Sequence, residues 1–194
     1  MTAGHPAQEW DRRYAEHERV WSATPNVTVE EICAPLAPGT ALDLGAGEGR
    51  HAVWLAGRGW SVTAVDFSAV GLDKGRTGAL RAGLDVEWVV ADVRSWRPAP
   101  GTTYDLVLVA YLHLADDVFA QARSLLSPGG RLVVVGHAKR NLVDGVGGPS
   151  NPALLHDEAE LRTAAGDLTI ERLGEVIRTT PDGDAIDVAL VARR

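Results

Sequence analysis

The pattern of apolar positions divides the chain into short strands separated by helical segments. Short, largely apolar segments predict five strands at Thr40–Leu44, Trp60–Val65, Val86–Ala91, Tyr104–Ala110 and Arg131–Val135. The fourth is a nearly continuous apolar run, as expected for a strand covered on both faces. Apolar residues at helical spacing predict intervening helices over 50–57, 68–82 and 116–126. Strands that alternate with helices in this way predict a parallel α/β sheet.

A pair of helices is predicted before the first strand, over 7–20 and 27–36. Trp10 and Tyr14 lie on related faces of the first one. These aromatic side chains are expected either to form a lid over a binding site or to pack the helix against the sheet edge. The sequence leaves both interpretations open.

The alternation of strands and helices stops after the fifth strand. Segment 138–155, rich in Gly, Pro and Asn, predicts a long loop. Within it, the glycines of 141–152 fit either a mobile gate beside the site or an ordinary surface connection. A short helix is predicted over 157–165, and the strand-like runs 168–178 and 185–192 flank a turn sequence, which predicts an antiparallel hairpin.

Length and composition indicate one soluble globular domain. The chain has 194 residues, of which 45% are hydrophobic and 23% charged, and it has no apolar run long enough to cross a membrane and no signal-peptide core. Cys33 is its only cysteine, so no internal disulfide forms and a cytoplasmic location is expected. The net charge of −7 and the lack of a basic run argue against nucleic acids and membranes as partners.

The most informative segment follows the first strand. It places Gly45, Gly47 and Gly49 at alternate positions, where the absence of a Cβ allows sharp turns and close approach of a ligand. The dinucleotide fingerprint has its third glycine one residue later and binds a pyrophosphate. Here Glu48 and Arg50 flank the third glycine, and an acidic loop suits a nucleoside with a cationic group better than a pyrophosphate.

Other strand ends carry polar residues at the edge where parallel α/β sheets bind ligands. Asp66 ends the second strand, where a carboxylate accepts hydrogen bonds from ribose hydroxyls, and Asp92 follows the third strand, where it would accept one from an adenine amino group. Each carboxylate alone is also explained as a helix cap. Tyr111 and His113 follow the fourth strand.

With these residues in this order, the sequence resembles the class I methyltransferases, which use S-adenosylmethionine. The resemblance covers roughly residues 40–137, and segment 126–130, Leu-Ser-Pro-Gly-Gly, is a turn typical of the family. It implies an α/β fold with a Rossmann-like seven-stranded sheet, mostly parallel with a C-terminal antiparallel hairpin, and helices on both faces. Segments 10–14, 20–26 and 47–52 are similar to thiopurine and tellurite-resistance type methyltransferases, which act on soft nucleophiles.

The resemblance also implies a cofactor, S-adenosylmethionine, and a set of residues to bind it. They are Asp43, Gly45, Ala46, Gly47, Gly49, Arg50, Asp66, Phe67, Asp92, Val93 and Ala110. Arg50 is expected either to pair with the methionine carboxylate or to face solvent. No cluster of residues has the spacing of a metal site, so no metal is expected.

The expected reaction is methyl transfer to a small molecule, with sulfur or another soft atom as the leading nucleophile. A thiol needs little beyond positioning, because a pKa near 8.5 leaves part of it ionised at neutral pH, whereas oxygen or nitrogen more often needs a base. Candidate catalytic residues are His113, His137 and Tyr111, each of which is also explained as a hydrogen-bonded structural residue. The Pro-Pro motif of amino-methyltransferases acting on bases is absent after the fourth strand.

The chain is expected to form a single domain over 1–194. Residues 1–38 would be a helical extension or lid, 39–137 the cofactor-binding core, and 138–194 a substrate loop, helix and hairpin. A cofactor-binding protein without transfer activity is the main alternative. A nicotinamide-dependent dehydrogenase is the least favoured, because the third fingerprint glycine is missing. The oligomeric state is not predicted.

Overall fold

A computed structural model of the chain describes residues 6–112 and 117–194. The strands within these ranges are β1 Thr40–Leu44, β2 Ser61–Asp66, β3 Glu87–Val90, β4 Tyr104–Ala110, β5 Leu126–His137, β6 Thr169–Thr180 and β7 Gly183–Arg193. They form one seven-stranded sheet in the order β3-β2-β1-β4-β5-β7-β6. Strands β1 to β5 pair in parallel, and β7 is antiparallel to both β5 and β6. The predicted sheet with its C-terminal hairpin is therefore confirmed.

Helices cover both faces of the sheet, as predicted. They are α1 Pro6–Glu16, α2 Val27–Cys33, α3 Arg50–Gly57, α4 Ala69–Arg81, α5 Asp117–Ser124, α6 Asn141–Asp144 and α7 Glu158–Ala165. One core joins α2, α3 and α4 to the sheet, and the other joins α5 and α7 to it. Since side chains alternate along a strand, Leu106 and Val107 of β4 enter opposite cores.

Side-chain caps fix where several helices begin. The Ser68 hydroxyl accepts a hydrogen bond from the Gly71 N–H at 3.0 Å and caps the N-terminus of α4. Asn26 caps α2 through its side-chain oxygen. Asp157 and Glu160 form a reciprocal capping box at the start of α7.

The predicted turn at 127–130 is wrong, because these residues belong to β5. Leu126 already pairs with Tyr104, and the register between β4 and β5 shifts before Leu106. The C-terminal residue holds the segment extended, since the Gly129 N–H donates to the Arg194 carbonyl at 3.1 Å and the Arg194 N–H donates to Gly130 at 3.0 Å. A turn sequence has thus become an irregularity inside a strand.

The predicted long loop at 138–155 is wrong in part. It contains α6 and a 3-10 helix at Pro152–Leu154. The buried Asn141 organises the segment, because its side-chain amide donates to the Gly147 carbonyl at 2.8 Å and its side-chain oxygen accepts from the Ile186 N–H at 2.7 Å. One side chain therefore supplies hydrogen bonds that a regular element would otherwise make.

No helix in the described ranges has the length and apolar character needed to cross a bilayer. Cys33 is a free, buried thiol on α2. Burial raises the pKa of this thiol to about 12, so it is not a reactive nucleophile at neutral pH.

Candidate active site

A cavity of about 450 Å³ opens at the carboxyl edge of the parallel strands, where β1 has β2 on one side and β4 on the other. Residues that follow β1, β2, β3 and β4 all contribute to its wall. Those lining it are Trp10, Tyr14, Trp21, Asn26, Gly45, Ala46, Gly47, Arg50, His51, Asp66, Phe67, Val93, Ala110, Tyr111, Leu112, His137 and Arg178. The predicted convergence of strand ends is therefore present in the structure.

The loop after β1 is tied to the end of β2. The Gly45 and Ala46 N–H groups donate to the Val65 carbonyl at 2.8 and 3.1 Å, and the Gly47 N–H donates to Asp66 Oδ2 at 2.9 Å. Gly45 and Gly47 have φ of 77° and 55°, which favours glycine. A Cβ at Gly47 would lie 2.7 Å from the Tyr14 hydroxyl, so the aromatic ring of α1 closes directly on the loop.

Asp66 is the carboxylate best placed to bind a ligand hydroxyl. It lines the cavity while its two oxygens accept hydrogen bonds from the N–H groups of Gly47 and Ser68, at 2.9 and 2.8 Å. Burial raises the pKa of Asp66, and the two backbone hydrogen bonds oppose that shift. Since a carboxylate oxygen accepts more than one hydrogen bond, capacity remains for a ligand.

Asp43 lies beneath the loop rather than in the cavity wall. Its side chain is 1% exposed, and among the described residues Oδ2 has no hydrogen-bond partner. Burial first, and then the negative charge of Asp66, raise the pKa of Asp43 to about 7. The residue therefore changes charge close to neutral pH without contacting the cavity.

Arg50 brings a positive charge into the cavity wall from the first turn of α3. Its guanidinium lies 5.9 Å from the ring centroids of both Trp21 and Tyr111, and Nη1 donates to the Ser22 hydroxyl at 3.3 Å. Burial lowers the pKa of Arg50, although a guanidinium stays charged at physiological pH. Between the two sequence expectations, the structure favours a site position over a solvent-facing one.

Besides Asp43, two further predicted cofactor residues, Gly49 and Asp92, lie outside the cavity wall. Gly49 has φ of 71°, and a Cβ there would lie 2.5 Å from Trp88 Cη2, so this glycine is required for packing. The Asp92 carboxylate bonds the Arg94 side chain, with Arg94 Nε 3.0 Å from Oδ1. Val93, Phe67, Ala46 and Ala110 do line the cavity.

Glu48 corrects the interpretation of the loop as an acidic seat for a cationic ligand. Its buried carboxylate accepts hydrogen bonds from the Val20 and Trp21 N–H groups, at 3.0 and 2.9 Å, and pairs with Lys74 Nζ at 3.1 Å. Lys74 also donates to the carbonyls of His17 and Glu18. Glu48 therefore anchors the segment after α1 to the loop and α4.

His137 and Tyr111 belong to a network centred on Asp187, which sequence reasoning missed. Asp187 is fully buried on β7; Oδ2 accepts from the Tyr111 hydroxyl at 2.6 Å and from Arg178 Nε at 2.9 Å, and Oδ1 lies 3.1 Å from His137 Nδ1. Burial raises the pKa of Asp187, but the neighbouring His137 together with the hydrogen bonds from Tyr111 and Arg178 outweighs burial and lowers the pKa. Asn26 Nδ2 donates to the Tyr111 hydroxyl at 2.8 Å and extends the network to α2.

A signal for Asp187 was available in the sequence. It is a single carboxylate inside the apolar run Ala185–Ala192, on a strand otherwise buried on both faces. Such a charge is retained only where partners satisfy it. Arg178 and Asn26 carried no comparable signal, because arginines and asparagines are common on surfaces. The third candidate base, His113, lies outside the described residues.

His51 is a structural member of the wall rather than a candidate base. Burial lowers the pKa of His51 to about 3, so the ring is neutral, and Nε2 accepts a hydrogen bond from the Asn26 N–H at 3.3 Å. Within the described part of the chain, no group of three or more His, Cys, Asp and Glu side chains is arranged to hold a metal ion.

The residues of this cavity fit S-adenosylmethionine. Its size is within the range of small-molecule sites, and positive-φ glycines leave one wall open at the backbone. Asp66 offers a carboxylate to the ribose, Arg50 offers a cation to the methionine carboxylate, and Tyr14, Phe67 and Tyr111 supply aromatic surface. The arrangement would suit a nucleoside with charged ends.

Comparison with known sequences finds similarity to methyltransferases. Residues 41–130 match the family model described as "Methyltransferase domain". An uncharacterized methyltransferase from Mycobacterium tuberculosis is 34% identical over 120 residues, covering 60% of this chain and 59% of that protein. A ribosomal RNA small subunit methyltransferase C from Alcanivorax borkumensis is 32% identical over 106 residues, covering 50% of this chain and 32% of that protein. The chain thus spans 59% and 32% of the lengths of these curated relatives.

Similar solved structures cover nearly the whole chain. A protein studied for the conversion of a disulfide bond into a thioacetal group during echinomycin biosynthesis has a TM-score of 0.78 at 22% identity, over 98% of this chain and 93% of that one. TehB from Haemophilus influenzae has a TM-score of 0.72 at 17% identity, over 97% and 66%. Magnesium protoporphyrin IX methyltransferase from Synechocystis, with bound SAH, has a TM-score of 0.68 at 20% identity, over 100% of this chain and 89% of that one. At these identities the likeness shows a shared fold.

Proposed function

We propose, from the premise that this chain carries a class I S-adenosylmethionine-dependent methyltransferase domain, that the protein methylates a small molecule with a soft nucleophile, sulfur first. The observation that carries the proposal is the cavity at the carboxyl edge of β1, β2 and β4, lined by a glycine loop, Asp66 and Arg50. These residues match the needs of the cofactor at its sugar and at its methionine end.

When bound, the cofactor supplies an electrophilic methyl group on a sulfonium. The chain contributes position and electrostatics: Asp66 and the Gly47 backbone orient the sugar end, and Arg50 orients the carboxylate end. Tyr14 and Tyr111 line the cavity as neutral rings, because burial raises the pKa of both phenols, to about 12 for Tyr14. Aromatic rings attract a cation without reacting with its methyl group.

Several observations support a small acceptor. Trp10, Tyr14 and Trp21 of the N-terminal segment line the cavity, which favours a compact acceptor. The net charge of −7 opposes binding to a phosphate backbone, although one relative is named as a ribosomal RNA methyltransferase. A solved neighbour is described by conversion of a disulfide into a thioacetal, which is chemistry at sulfur. The proposal includes the cytoplasm as location, since the only cysteine is a free thiol.

The experiment is a transfer assay with methyl-labelled S-adenosylmethionine and a panel of acceptors. The panel contains small thiols, small phenols, small amines and total RNA, each incubated with the intact chain. We expect label on one or more thiols and none on RNA, and we expect Asp66→Ala to reduce the transfer. Asp73→Ala, an exposed carboxylate of α4, is the matched control and should leave the rate unchanged.

Two results would contradict the proposal. Label on RNA with none on small molecules would assign the protein to the nucleic-acid branch of the family. Tight cofactor binding with no label on any acceptor would favour a regulatory protein that binds the cofactor without transferring its methyl group.

A further inference from the structure

A second cavity, of about 530 Å³, adjoins the first. The two share Trp10, Trp21, His137 and Arg178 in their walls, so they meet at these side chains. The remaining wall of the second cavity comes from Arg13 of α1, from residues of the segment 146–154, and from Thr180, Asp182 and Ala185 at the hairpin. A ligand in the second cavity would therefore lie beside a cofactor in the first.

The chemistry of this wall favours a flat apolar ligand. The rings of Trp10 and Trp21 have centroids 6.5 Å apart, and the Arg13 guanidinium lies 4.9 and 5.5 Å from them. Aromatic rings stacked with a guanidinium, in one wall with aliphatic side chains such as Val146 and Leu154, suit an aromatic or similarly flat molecule.

His137 is the one titratable group of the described residues that lines both cavities and has a ring nitrogen facing a buried carboxylate. Its Nδ1 lies 3.1 Å from Asp187 Oδ1, and the Asp187 side chain is 0% exposed. A carboxylate at Nδ1 favours the tautomer with its proton on that nitrogen, which leaves the Nε2 lone pair available. Asp187 also compensates the positive charge that a protonated His137 would carry.

Asp187 is itself held in place by two hydrogen-bond donors. The Tyr111 hydroxyl and Arg178 Nε both donate to Asp187 Oδ2. Tyr111 itself has a φ of 55°, a left-handed backbone conformation that is rare for a residue other than glycine. Tyr111 is unsuited to act as the base, because its hydroxyl already donates to Asp187 and burial raises its pKa. Its ring contacts the His137 ring at a centroid distance of 4.9 Å and limits the ring's movement.

We propose that the second cavity is the methyl-acceptor site, that it takes a flat apolar molecule with an O–H or S–H nucleophile, and that His137, positioned by Asp187, removes the nucleophile's proton. This inference rests on the proposed methyltransferase function. In the proton step, the O–H or S–H bond of the acceptor breaks, its electron pair stays on the acceptor atom, and the proton forms a bond to His137 Nε2. The resulting imidazolium is stabilised by the Asp187 carboxylate, and the proton then passes to solvent.

The groups that bear on the charge of His137 come from several elements. Asp187 lies on β7, Arg178 on β6 and Tyr111 after β4, while Arg13 and Asp182 line the second cavity. His156 contacts His137 through the backbone, because the His156 N–H donates to the His137 carbonyl at 3.0 Å. Of these, Asp187 alone faces His137 Nδ1, so its removal is the most selective test.

The first experiment needs no turnover. Long-range ¹⁵N–¹H spectra of the intact chain report which ring nitrogen of His137 carries the proton. We expect the Nδ1–H tautomer in the native chain and its loss in Asp187→Asn, with Asp184→Asn as the matched control on the same strand. A predominant Nε2–H tautomer in the native chain would overturn the proposal, and this measurement stands even where the Asp187 variant fails to fold.

The second experiment locates the acceptor with 2-naphthol and 2-naphthalenethiol as probes. We expect both to perturb the methyl resonances of Val146 and Leu154, and Pro149→Trp to weaken that binding about tenfold or more by filling the cavity. Pro152→Trp, an exposed position outside the wall, should bind the probes like the native chain. Unperturbed Val146 and Leu154 resonances would contradict the proposed acceptor site.

The third experiment separates a positioning role from a structural one. Asp187→Asn and His137→Gln should lower kcat for 2-naphthol about 100-fold and affect the thiol less, because a thiol ionises at lower pH than an aromatic hydroxyl. Both variants should leave KM for the two acceptors unchanged. Equal losses of kcat for both acceptors would overturn the role of Asp187 and His137. If instead S-adenosylhomocysteine does not bind the native chain, the proposed function itself fails.

Discussion

Three carboxylates around the loop after β1, those of Asp43, Glu48 and Asp66, have different roles. Asp66 faces the cavity and accepts two backbone hydrogen bonds, whereas Asp43 is buried beneath the loop with one oxygen unpaired among the described residues. Glu48 is used to anchor the segment after α1. The role of each carboxylate therefore depends on its burial and on its hydrogen-bond partners, not on its residue type alone.

Asp43 predicts a pH-dependent stability. Its folded-state pKa of about 7 lies above the unfolded value of about 3.9. The stability that the protonated form contributes is therefore complete below about pH 3.9, the unfolded pKa, and is lost as pH rises through about 7. Asp43→Asn should therefore raise the free energy of unfolding more at pH 8 than at pH 5, by on the order of 1–3 kcal/mol. Urea denaturation of the cofactor-free chain at both pH values measures this difference.

The control for this prediction is Asp73→Asn, which removes an exposed carboxylate on α4. It should change the free energy of unfolding equally little at both pH values. If Asp43→Asn behaves like this control, Asp43 is ionised in the folded state across the range, and the burial argument does not hold.

At the residue scale, the sequence predicted the residues whose signal is local. Asp66, Phe67 and the loop glycines follow strands, and their place in the chain sets their place at the sheet edge. Asp187 and Arg178 escaped prediction because their roles depend on pairing between β6, β7 and β5, which are distant in sequence. The role of Glu48 was misjudged because its partners are backbone N–H groups of a segment with no strong pattern.

Helix α4 shows how element packing constrains single glycines. A Cβ at Gly75 would lie 2.6 Å from Trp88 Cη2 and 3.0 Å from the Glu48 carbonyl, whereas one at Gly78 would meet nothing closer than Arg19 Nη2 at 4.0 Å. Gly75→Ala should destabilise the chain by about 1–3 kcal/mol through overpacking, and Gly78→Ala should stabilise it by about 0.5–1 kcal/mol through helix propensity.

The two variants are each other's control, since they make the same substitution in one helix. Thermal unfolding followed by circular dichroism gives both values. Equal and small effects would show that α4 moves freely relative to β3 and the loop, in conflict with the close packing of Trp88 against Gly49 and Gly75.

The segment after α1 is attached through Lys74, and we propose that it acts with α1 as a lid over the cofactor cavity. Lys74 Nζ donates to the carbonyls of His17 and Glu18 and pairs with Glu48. Lys74→Met should speed amide hydrogen exchange at Val20 and Trp21 by about fivefold, as expected for the loss of about 1 kcal/mol.

Arg81→Met, an exposed substitution in the last turn of α4, is the matched control for Lys74→Met. Unchanged protection of Val20 and Trp21 in Lys74→Met would show that Glu48 alone holds the segment. A lid that closes on the cofactor should also exchange more slowly with S-adenosylhomocysteine bound, and equal protection in both states would remove the lid role.

At the scale of elements, periodicity was a good guide in the alternating part of the chain and a poorer one at its ends. Strands β1 and β4 and helix α3 begin and end where predicted, because each is a strong pattern bounded by glycine or polar residues. The start of β5 was predicted wrongly, since Gly129 and Gly130 belong to a turn sequence but form backbone hydrogen bonds with Arg194. Turn propensity is a local property, and a distant partner strand outweighed it.

The topology of the whole molecule explains why the site lies where it does. Parallel strands β1 to β5 bring their carboxyl ends to one edge, and the reversed strand β7 begins at that same edge, which places Asp187 opposite His137. Cofactor binding is thereby assigned to one half of the edge and, in our proposal, acceptor deprotonation to the other. The cofactor-binding half was predicted from sequence motifs. For the other half, the sequence offered only candidate catalytic residues.

The most direct test of the account is calorimetric titration of the intact chain with S-adenosylhomocysteine, alongside Asp66→Ala and Asp73→Ala. The account predicts one site per chain, a loss of about 1–3 kcal/mol in binding free energy for Asp66→Ala, and native affinity for Asp73→Ala. Absence of binding to the native chain, or equal affinity in all three proteins, would contradict it.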